Sequence, residues 1–150
     1  MVKNILLSMC FLFLSFSNYF ASNANVPIDL QRWQLLVFGK DGLWVFLDTD
    51  SYYSYVNSYS LGHSHCKMAN IWEWHTPGND NPDNIFYTID NITYDFNCRT
   101  LQLNRIVEYD KDNKCIGNFS FDNQPMEVVP GSLGERLLDE VEKYDKQRNS

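Results

Sequence analysis

The chain has 150 residues and a formal net charge of −7, and 44% of its residues are hydrophobic and 15% aromatic. This length holds a single domain, and the apolar content excludes general disorder. The acidic balance argues against nucleic acid and anionic membrane surfaces as partners, because both attract patches of lysine and arginine.

A secretory signal peptide is predicted at residues 1–24. Lys3 gives a short positive region, and a nearly continuous apolar run follows at residues 5–16. Small residues at positions 22 and 24 suit a signal peptidase. The apolar run is shorter than the roughly 20 residues that span a bilayer, so an integral membrane protein is not expected. We predict an exported protein, secreted or at the cell surface, with the periplasm as the alternative location.

Six strands joined by short turns are predicted in the mature domain, residues 25–150. The first two strands, 32–38 and 43–48, flank an Asp-Gly hairpin signal. The tyrosine-rich residues 52–61 show no clear pattern. The other four strands are predicted at residues 67–74, 85–98, 100–109 and 115–121. Within the strand at 100–109, strict alternation would put Leu101, Leu103, Arg105 and Val107 on one face.

One capped amphipathic helix is predicted after the strands. Pro130 and Gly131 end the extended chain, and Ser132 and Glu135 have the spacing of a capping box. One stripe at helical spacing then contains Leu133, Leu137, Leu138, Val141 and Tyr144. Such a stripe packs on a sheet, so the predicted fold class is α+β: a six-stranded antiparallel meander with one C-terminal helix across one face.

Three cysteines remain after the signal peptide leaves with Cys10: Cys66, Cys98 and Cys115. Thiols tend to pair in an oxidising compartment, and three is an odd number. Either one disulfide forms and the third thiol stays buried, or one cysteine bonds to another molecule. The sequence leaves all three pairings open.

Exposed aromatic and loop residues are the candidate contact surface for a ligand. Tyrosine joins apolar area to a polar tip and is enriched at protein interfaces. The residues concerned are Tyr52, Tyr53, Tyr55 and Tyr59 of the tyrosine-rich stretch, with Pro77, Asn79 and Asn81 of the loop at 76–84. The alternative is that half of these rings simply cover the open face of the sheet.

A second, weaker candidate is a metal or haem site at His63, His65 and His75. Imidazole beside the Cys66 thiolate suits zinc or copper, and H-x-H on a strand places both rings on one side. No second metal-binding pair completes a set of four ligands. The competing interpretation is a solvated turn, so we predict no cofactor.

No catalytic motif is found in the sequence. The chain has no G-x-S-x-G nucleophile elbow and no phosphate-binding glycine loop. Cys98 as a nucleophile would need a base nearby, and the sequence indicates none. We therefore predict that the protein is not an enzyme.

Several short motifs occur in a distinctive order along the mature chain. They are Trp33 opening the first strand, the turn Asp48-Thr49-Asp50-Ser51, the segment Tyr94-Asp95-Phe96-Asn97-Cys98, and the closing Val129-Pro130-Gly131-Ser132-Leu133-Gly134-Glu135. In this order they resemble the surface-adhesin protein E family of Gram-negative bacteria. The resemblance covers nearly all of the mature chain, and its last motif is the specific one.

The resemblance implies a six-stranded antiparallel sheet with a helix across it. It also implies a surface or secreted adhesin that binds host matrix and serum proteins such as vitronectin, laminin and plasminogen, with homodimers and haem binding in some members. The family ties its helix to the sheet through a cysteine partnered with the position of Cys98. Here Glu142 stands at that helix position, so the helix is expected to be held by its apolar stripe alone.

Two other functions remain as alternatives to adhesion. One is a periplasmic protein that binds a metal or haem through His63, His65 and His75. The other is a periplasmic structural protein that uses the same fold without an adhesive role.

Overall fold

A computed structural model describes residues 29, 31–39, 42–57, 66–76 and 84–150 of the chain. The predicted signal peptide lies outside these residues. Within them, no helix is both long enough and apolar enough to cross a bilayer.

The described chain forms one antiparallel sheet and one helix. The strands are β1 (Trp33–Phe38), β2 (Trp44–Asp48), β3 (Tyr53–Asn57), β4 (Cys66–His75), β5 (Tyr87–Asp95), β6 (Thr100–Tyr109), β7 (Cys115–Ser120) and β8 (Met126–Glu127). The helix α1 is Leu133–Arg148. The α+β class is therefore confirmed, whereas the predicted count of six strands is wrong, because this part of the chain has eight.

The two extra strands arise because two long strands each pair with two shorter ones on the same side. β2 pairs with the His75 half of β4, and β3 pairs with its Cys66 half. β2 and β3 run in the same direction, so they act as one strand interrupted by a turn. The Ser51 hydroxyl in that turn accepts from the Trp72 N–H at 3.0 Å. It thereby provides a hydrogen-bond partner for the β4 backbone between the segments that pair with β2 and β3. β7 and β8 divide β6 in the same way.

The sheet is consequently not a simple meander. Its strand order is β1-β2-β4-β5-β6-β7, with β3 beside β4 and β8 beside β6. The tyrosine-rich stretch, for which the sequence predicted no element, supplies β3. The apolar patterns and turn residues of the sequence were sufficient to predict the longer strands. They did not predict β3 and β8, because each runs in the same direction as the strand before it and no hairpin turn separates the two.

The main hydrophobic core lies between the helix and one face of the sheet, which we call the helix face. Its buried strand residues come from β1, β2, β4 and β5, and Leu137, Leu138 and Val141 come from α1. The opposite face, which we call the open face, carries a separate aromatic cluster around Phe46 and Trp74. Successive strand residues therefore alternate between two different apolar environments.

A bulge in β6 changes which residues share a face. Leu103 pairs with Ile92 and Arg105 pairs with Asn91, so Asn104 is an extra residue in β6. Leu101 and Leu103 pack against the core, but beyond the bulge the parity is reversed and Arg105 and Val107 lie on the open face. The predicted common face for all four is wrong, because one inserted residue reverses the alternation.

The helix begins with the predicted cap. The Glu135 N–H donates to the Ser132 Oγ at 3.2 Å. The Glu135 carboxylate accepts from the N–H of Gly131 at 2.7 Å, one residue earlier than a capping box requires. Gly131 has φ of +78°, a conformation that glycine adopts without strain.

Polar contacts as well as the apolar stripe hold the helix to the sheet. Asp145 lies in the buried stripe, only 1% exposed, and accepts from the Tyr52 hydroxyl at 2.6 Å and from Lys67. At the other end, Arg99 donates to Asp139 at 2.6 Å. The expectation that the stripe alone holds the helix is therefore wrong, because the side chains of Asp145 and Asp139 also bond to the sheet and to the turn before β6.

Candidate binding site

The structure describes only some of the residues that the sequence singled out. Outside the described residues lie Tyr59, Pro77, Asn79, Asn81, His63 and His65. The structure describes the other four, which are Tyr52, Tyr53, Tyr55 and His75. They lie in three environments: the core, the exposed surface and a group of buried acidic residues.

Tyr52 belongs to the core and not to the surface. Its side chain is 6% exposed, and its ring meets Tyr144 edge to face with the ring centres 4.9 Å apart. Its hydroxyl donates to Asp145, and burial together with this bond raises the pKa of Tyr52 far above its ordinary value. The ring is thus committed to the contact between helix and sheet, and a partner cannot reach it without opening that contact.

Tyr53 and Tyr55 form an exposed aromatic pair on the open face. Their rings are nearly parallel, with centres 5.7 Å apart, and the residues are 56% and 38% exposed. Among the described strands β3 pairs only with β4, so its other side is an edge of the sheet. Val56, on the same strand, is 59% exposed. We call Tyr53, Tyr55 and Val56 the tyrosine edge.

A network of amide and hydroxyl side chains adjoins the tyrosine edge on the open face. Asn70, the register partner of Tyr53, donates to the Thr93 Oγ1 at 2.8 Å and exchanges bonds with Asn91. Asn104, the bulge residue, donates to both Asn91 and Thr93 at 3.0 and 2.9 Å. Because each side chain makes several bonds, the network holds β4, β5 and β6 together, and β4 is the strand that pairs with β3.

A cluster of buried aromatic rings lies elsewhere on the open face. Phe46, Trp74 and Tyr87 are each less than 10% exposed. Trp74 links the other two, with ring centres 5.2 Å from Phe46 and 5.5 Å from Tyr87, and Tyr87 stacks on Tyr109 at 4.7 Å. Mutual burial of aromatic rings stabilises this part of the sheet. These rings therefore have a structural role, unlike the exposed pair on β3.

His75 lies among buried acidic groups on the helix face. Its Nε2 is 2.8 Å from Glu73 Oε2 and 3.8 Å from Asp90 Oδ2. The other carboxylate oxygen of Glu73 accepts from the hydroxyl of Tyr94 at 2.6 Å, and both of these side chains are fully buried. Asp90 Oδ1 is buried without a hydrogen-bond partner in the described structure. We call these four residues the acidic cluster.

The acidic cluster shifts the pKa values of its members. Burial alone would lower the pKa of His75, but the hydrogen bond and charge of Glu73, with Asp90 behind it, leave that pKa above 6.5. Burial is the main reason that the pKa of Asp90 is raised. Burial and the neighbouring Glu73 charge raise the pKa of Tyr94. The arrangement can hold a proton on His75 and keep it from solvent.

The described residues do not form a metal site. They contain no group of three His, Cys, Asp or Glu that could hold a metal ion. The Nε2 of His75 is directed at Glu73, and the other two predicted ligands, His63 and His65, are not described.

The cysteines lie at opposite ends of β6. Cys98 is in the turn that precedes β6, and Cys115 opens β7 opposite Tyr109. Nearly the whole of β6 separates them, about 30 Å at the usual rise of a strand. A disulfide needs Cα atoms within about 7 Å, so these two cannot bond within one molecule.

Sequence reasoning missed the buried acids Glu73, Asp90 and Asp145. Asp145 had a usable signal, because it lies four residues after Val141 and continues the apolar stripe of the helix. Glu73 stands between two tryptophans of a strand, which also marks it as unusual. The asparagine network had no signal, because it depends on the bulge at Asn104.

No protein-family model, no curated protein and no solved structure matches this chain. Function therefore has to be inferred from the residues of the molecule itself.

Proposed function

We propose that the chain is an exported, non-enzymatic binding module that holds a protein partner on its tyrosine edge. The observation that carries this proposal is the exposed, stacked pair of Tyr53 and Tyr55 on β3, which among the described strands pairs on one side only. Such rings provide large contact area with little side-chain entropy to lose, and tyrosine is enriched where interfaces gain most of their energy.

The surroundings support a preformed surface. The asparagine network holds β4 and β5 together, and β4 is the strand with which β3, the strand of both rings, is paired. A partner would therefore bind rings that are already positioned, without first ordering them.

The partner class that we propose is a host matrix or serum protein. The resemblance to the surface-adhesin protein E family supports this choice, and the exported location that the sequence predicts is compatible with it. We extend the proposal to membership of that family, at the cell surface or in the secreted fraction.

Binding to immobilised vitronectin, laminin and plasminogen tests the proposal. The purified wild-type protein is compared with a Tyr53→Ser/Tyr55→Ser variant and with a Phe119→Ser variant, which removes an equally exposed ring from the opposite edge of the sheet. We expect the tyrosine variant to lose at least about tenfold in affinity for one of the three proteins, since each 1.4 kcal/mol is tenfold. The control should bind as the wild type does.

Equal binding by the tyrosine variant and the wild type would refute the tyrosine edge as the contact surface. Protease treatment of intact cells tests the location separately. Digestion of the protein is expected, and complete protection would favour the periplasmic alternatives.

A further inference from the structure

The acidic cluster lies at the end of β4, where this strand is paired on both sides. Glu73 and His75 are opposite β2 on one side and opposite β5 on the other. β2 meets β4 only from Val45 to Leu47, so the cluster occupies most of that short pairing. We call residues 73–76 of β4 and its end, with residues 87–90 of β5, the His75 corner.

One imidazole ring stands between two buried carboxylates in this corner. The Nε2 of His75 is 2.8 Å from Glu73 Oε2 and 3.8 Å from Asp90 Oδ2. The other donors to these acids are neutral hydroxyl groups, from Tyr94 to Glu73 and from Thr88 to Asp90. A protonated imidazole is therefore the group that balances their negative charge.

The other elements bring no second cation to the corner. β6 contributes a further acid, Glu108, whose charge helps to raise the pKa of Asp90. The β2 residues opposite the cluster, Val45 and Leu47, are apolar. Charged side chains of α1 bond elsewhere, as Asp145 does with Lys67. In the part of the chain that the structure describes, no lysine or arginine forms an ion pair with Glu73, Asp90 or Glu108.

Loss of the proton from His75 would leave Glu73 and Asp90 buried, opposite each other and without a balancing charge. Removing one partner of a buried ion pair is strongly destabilising, because the remaining charge is kept from water. Water can reach this place most easily from the end of the strand. His75 is the last residue of β4, and its side chain is 16% exposed, whereas that of Glu73 is fully buried.

We propose that His75 is a pH switch for the end of β4. The imidazolium holds this end against β2 and β5, and loss of its proton lets the end separate, so that water reaches Glu73 and Asp90. The rest of the sheet stays paired. The tyrosine edge belongs to β3, which pairs with the other half of β4, so the switch and the proposed binding function can fail independently.

The sign of the switch follows from the surroundings of the imidazole. Burial lowers the pKa of His75, but the hydrogen bond and charge of Glu73 outweigh burial and leave it above 6.5. The protonated ring is thus bound more tightly in the closed corner than in the open one. The closed corner is favoured below pH 6.5, and this preference is lost as the pH rises through the folded pKa.

Amide hydrogen exchange of the full protein tests the proposal. It is measured at about pH 5.5 and about pH 8.5, corrected for the intrinsic exchange rates, in a series of low urea concentrations. We expect protection in the His75 corner to fall at least about threefold at the higher pH. Exchange there should hardly depend on urea, because a local separation exposes little surface, whereas residues 68–70 and 92–94 should respond to urea strongly.

Two results of this experiment would overturn the proposal. One is protection in the corner that does not change with pH. The other is a urea dependence in the corner equal to that of residues 68–70 and 92–94, because the sheet would then open only as a whole.

A variant connects the effect to the charge balance. Glu73→Gln keeps the size of the side chain and removes the charge that holds the proton on His75, so the fall in protection should shrink to less than about twofold. Glu127→Gln is the matched control, an exposed acid on β8, and should behave as the wild type does. Circular dichroism checks that both variants fold, and His75→Gln replaces Glu73→Gln if it does not. A fall as large as that of the wild type in the folded variant would refute the switch.

Discussion

Neighbouring residues of one tyrosine run have opposite roles because a strand changes face at every residue. Tyr52 lies under the helix with its hydroxyl on Asp145, whereas Tyr53 is 56% exposed on the open face. The sequence predicted both rings as contact residues, but it could not assign their faces without the register of β3. A tyrosine-rich segment was therefore recognisable from the sequence, whereas the exposed members of the segment were not.

The difference can be measured by removing one hydroxyl at a time. Tyr52→Phe takes away a donor from the buried Asp145 carboxylate, and we expect the free energy of unfolding to fall by about 1–2 kcal/mol. Tyr53→Phe is the matched control and should change it by less than about 0.5 kcal/mol, as exposed substitutions usually do. Urea unfolding provides both values. Similar small changes in the two variants would contradict the role given to Tyr52.

At the scale of elements, local signals predicted the regular strands and the helix, and pairing between strands determined the rest. The apolar alternation and the Asp-Gly turn predicted β1 and β2, and the Ser132 cap predicted where α1 begins. The bulge at Asn104 was not predictable, because an extra residue is visible only against the neighbouring strand. The asparagine network was not predictable for the same reason, because Asn104 joins it only through the bulge.

The strand arrangement also narrows the choice among the cysteine pairings. Cys66 is at the end of β4, where the neighbouring Lys67 carbonyl accepts from the Phe96 N–H at 3.1 Å, close to the turn with Cys98. We expect peptide mapping under non-reducing conditions to find a Cys66–Cys98 disulfide and Cys115 as a thiol. A Cys98–Cys115 peptide from the monomer would contradict the register of β6.

That disulfide would join the strand that carries Lys67 to the turn that carries Arg99, the two polar attachments of the helix. Reduction should lower the free energy of unfolding by about 4 kcal/mol, from the entropy of closing a loop of this length. A Cys115→Ser variant is the control and should show the same loss on reduction.

For the whole molecule, two sets of titratable groups give opposite dependences of stability on pH. Burial alone would raise the pKa values of Asp48 and Asp145, but the bonds from Arg32 to Asp48 and from Lys67 to Asp145 outweigh burial and lower both. A carboxyl with a lowered pKa contributes stability above its unfolded value of 3.8, and that contribution is lost as the pH falls through the folded pKa. These two groups therefore favour the folded state at neutral pH over strong acid.

The acidic cluster acts in the other direction. Because the folded pKa of His75 is above 6.5, its contribution is fully present below pH 6.5 and is lost as the pH rises through the folded pKa. We expect the free energy of unfolding to fall as the pH rises above 6.5, as measured by urea unfolding at a series of pH values. His75→Gln should flatten this slope, and a His63→Gln/His65→Gln variant is the matched control that should retain it. An unchanged slope in His75→Gln would show that another group binds the proton, and His75 would then have no part in the response of the fold to pH.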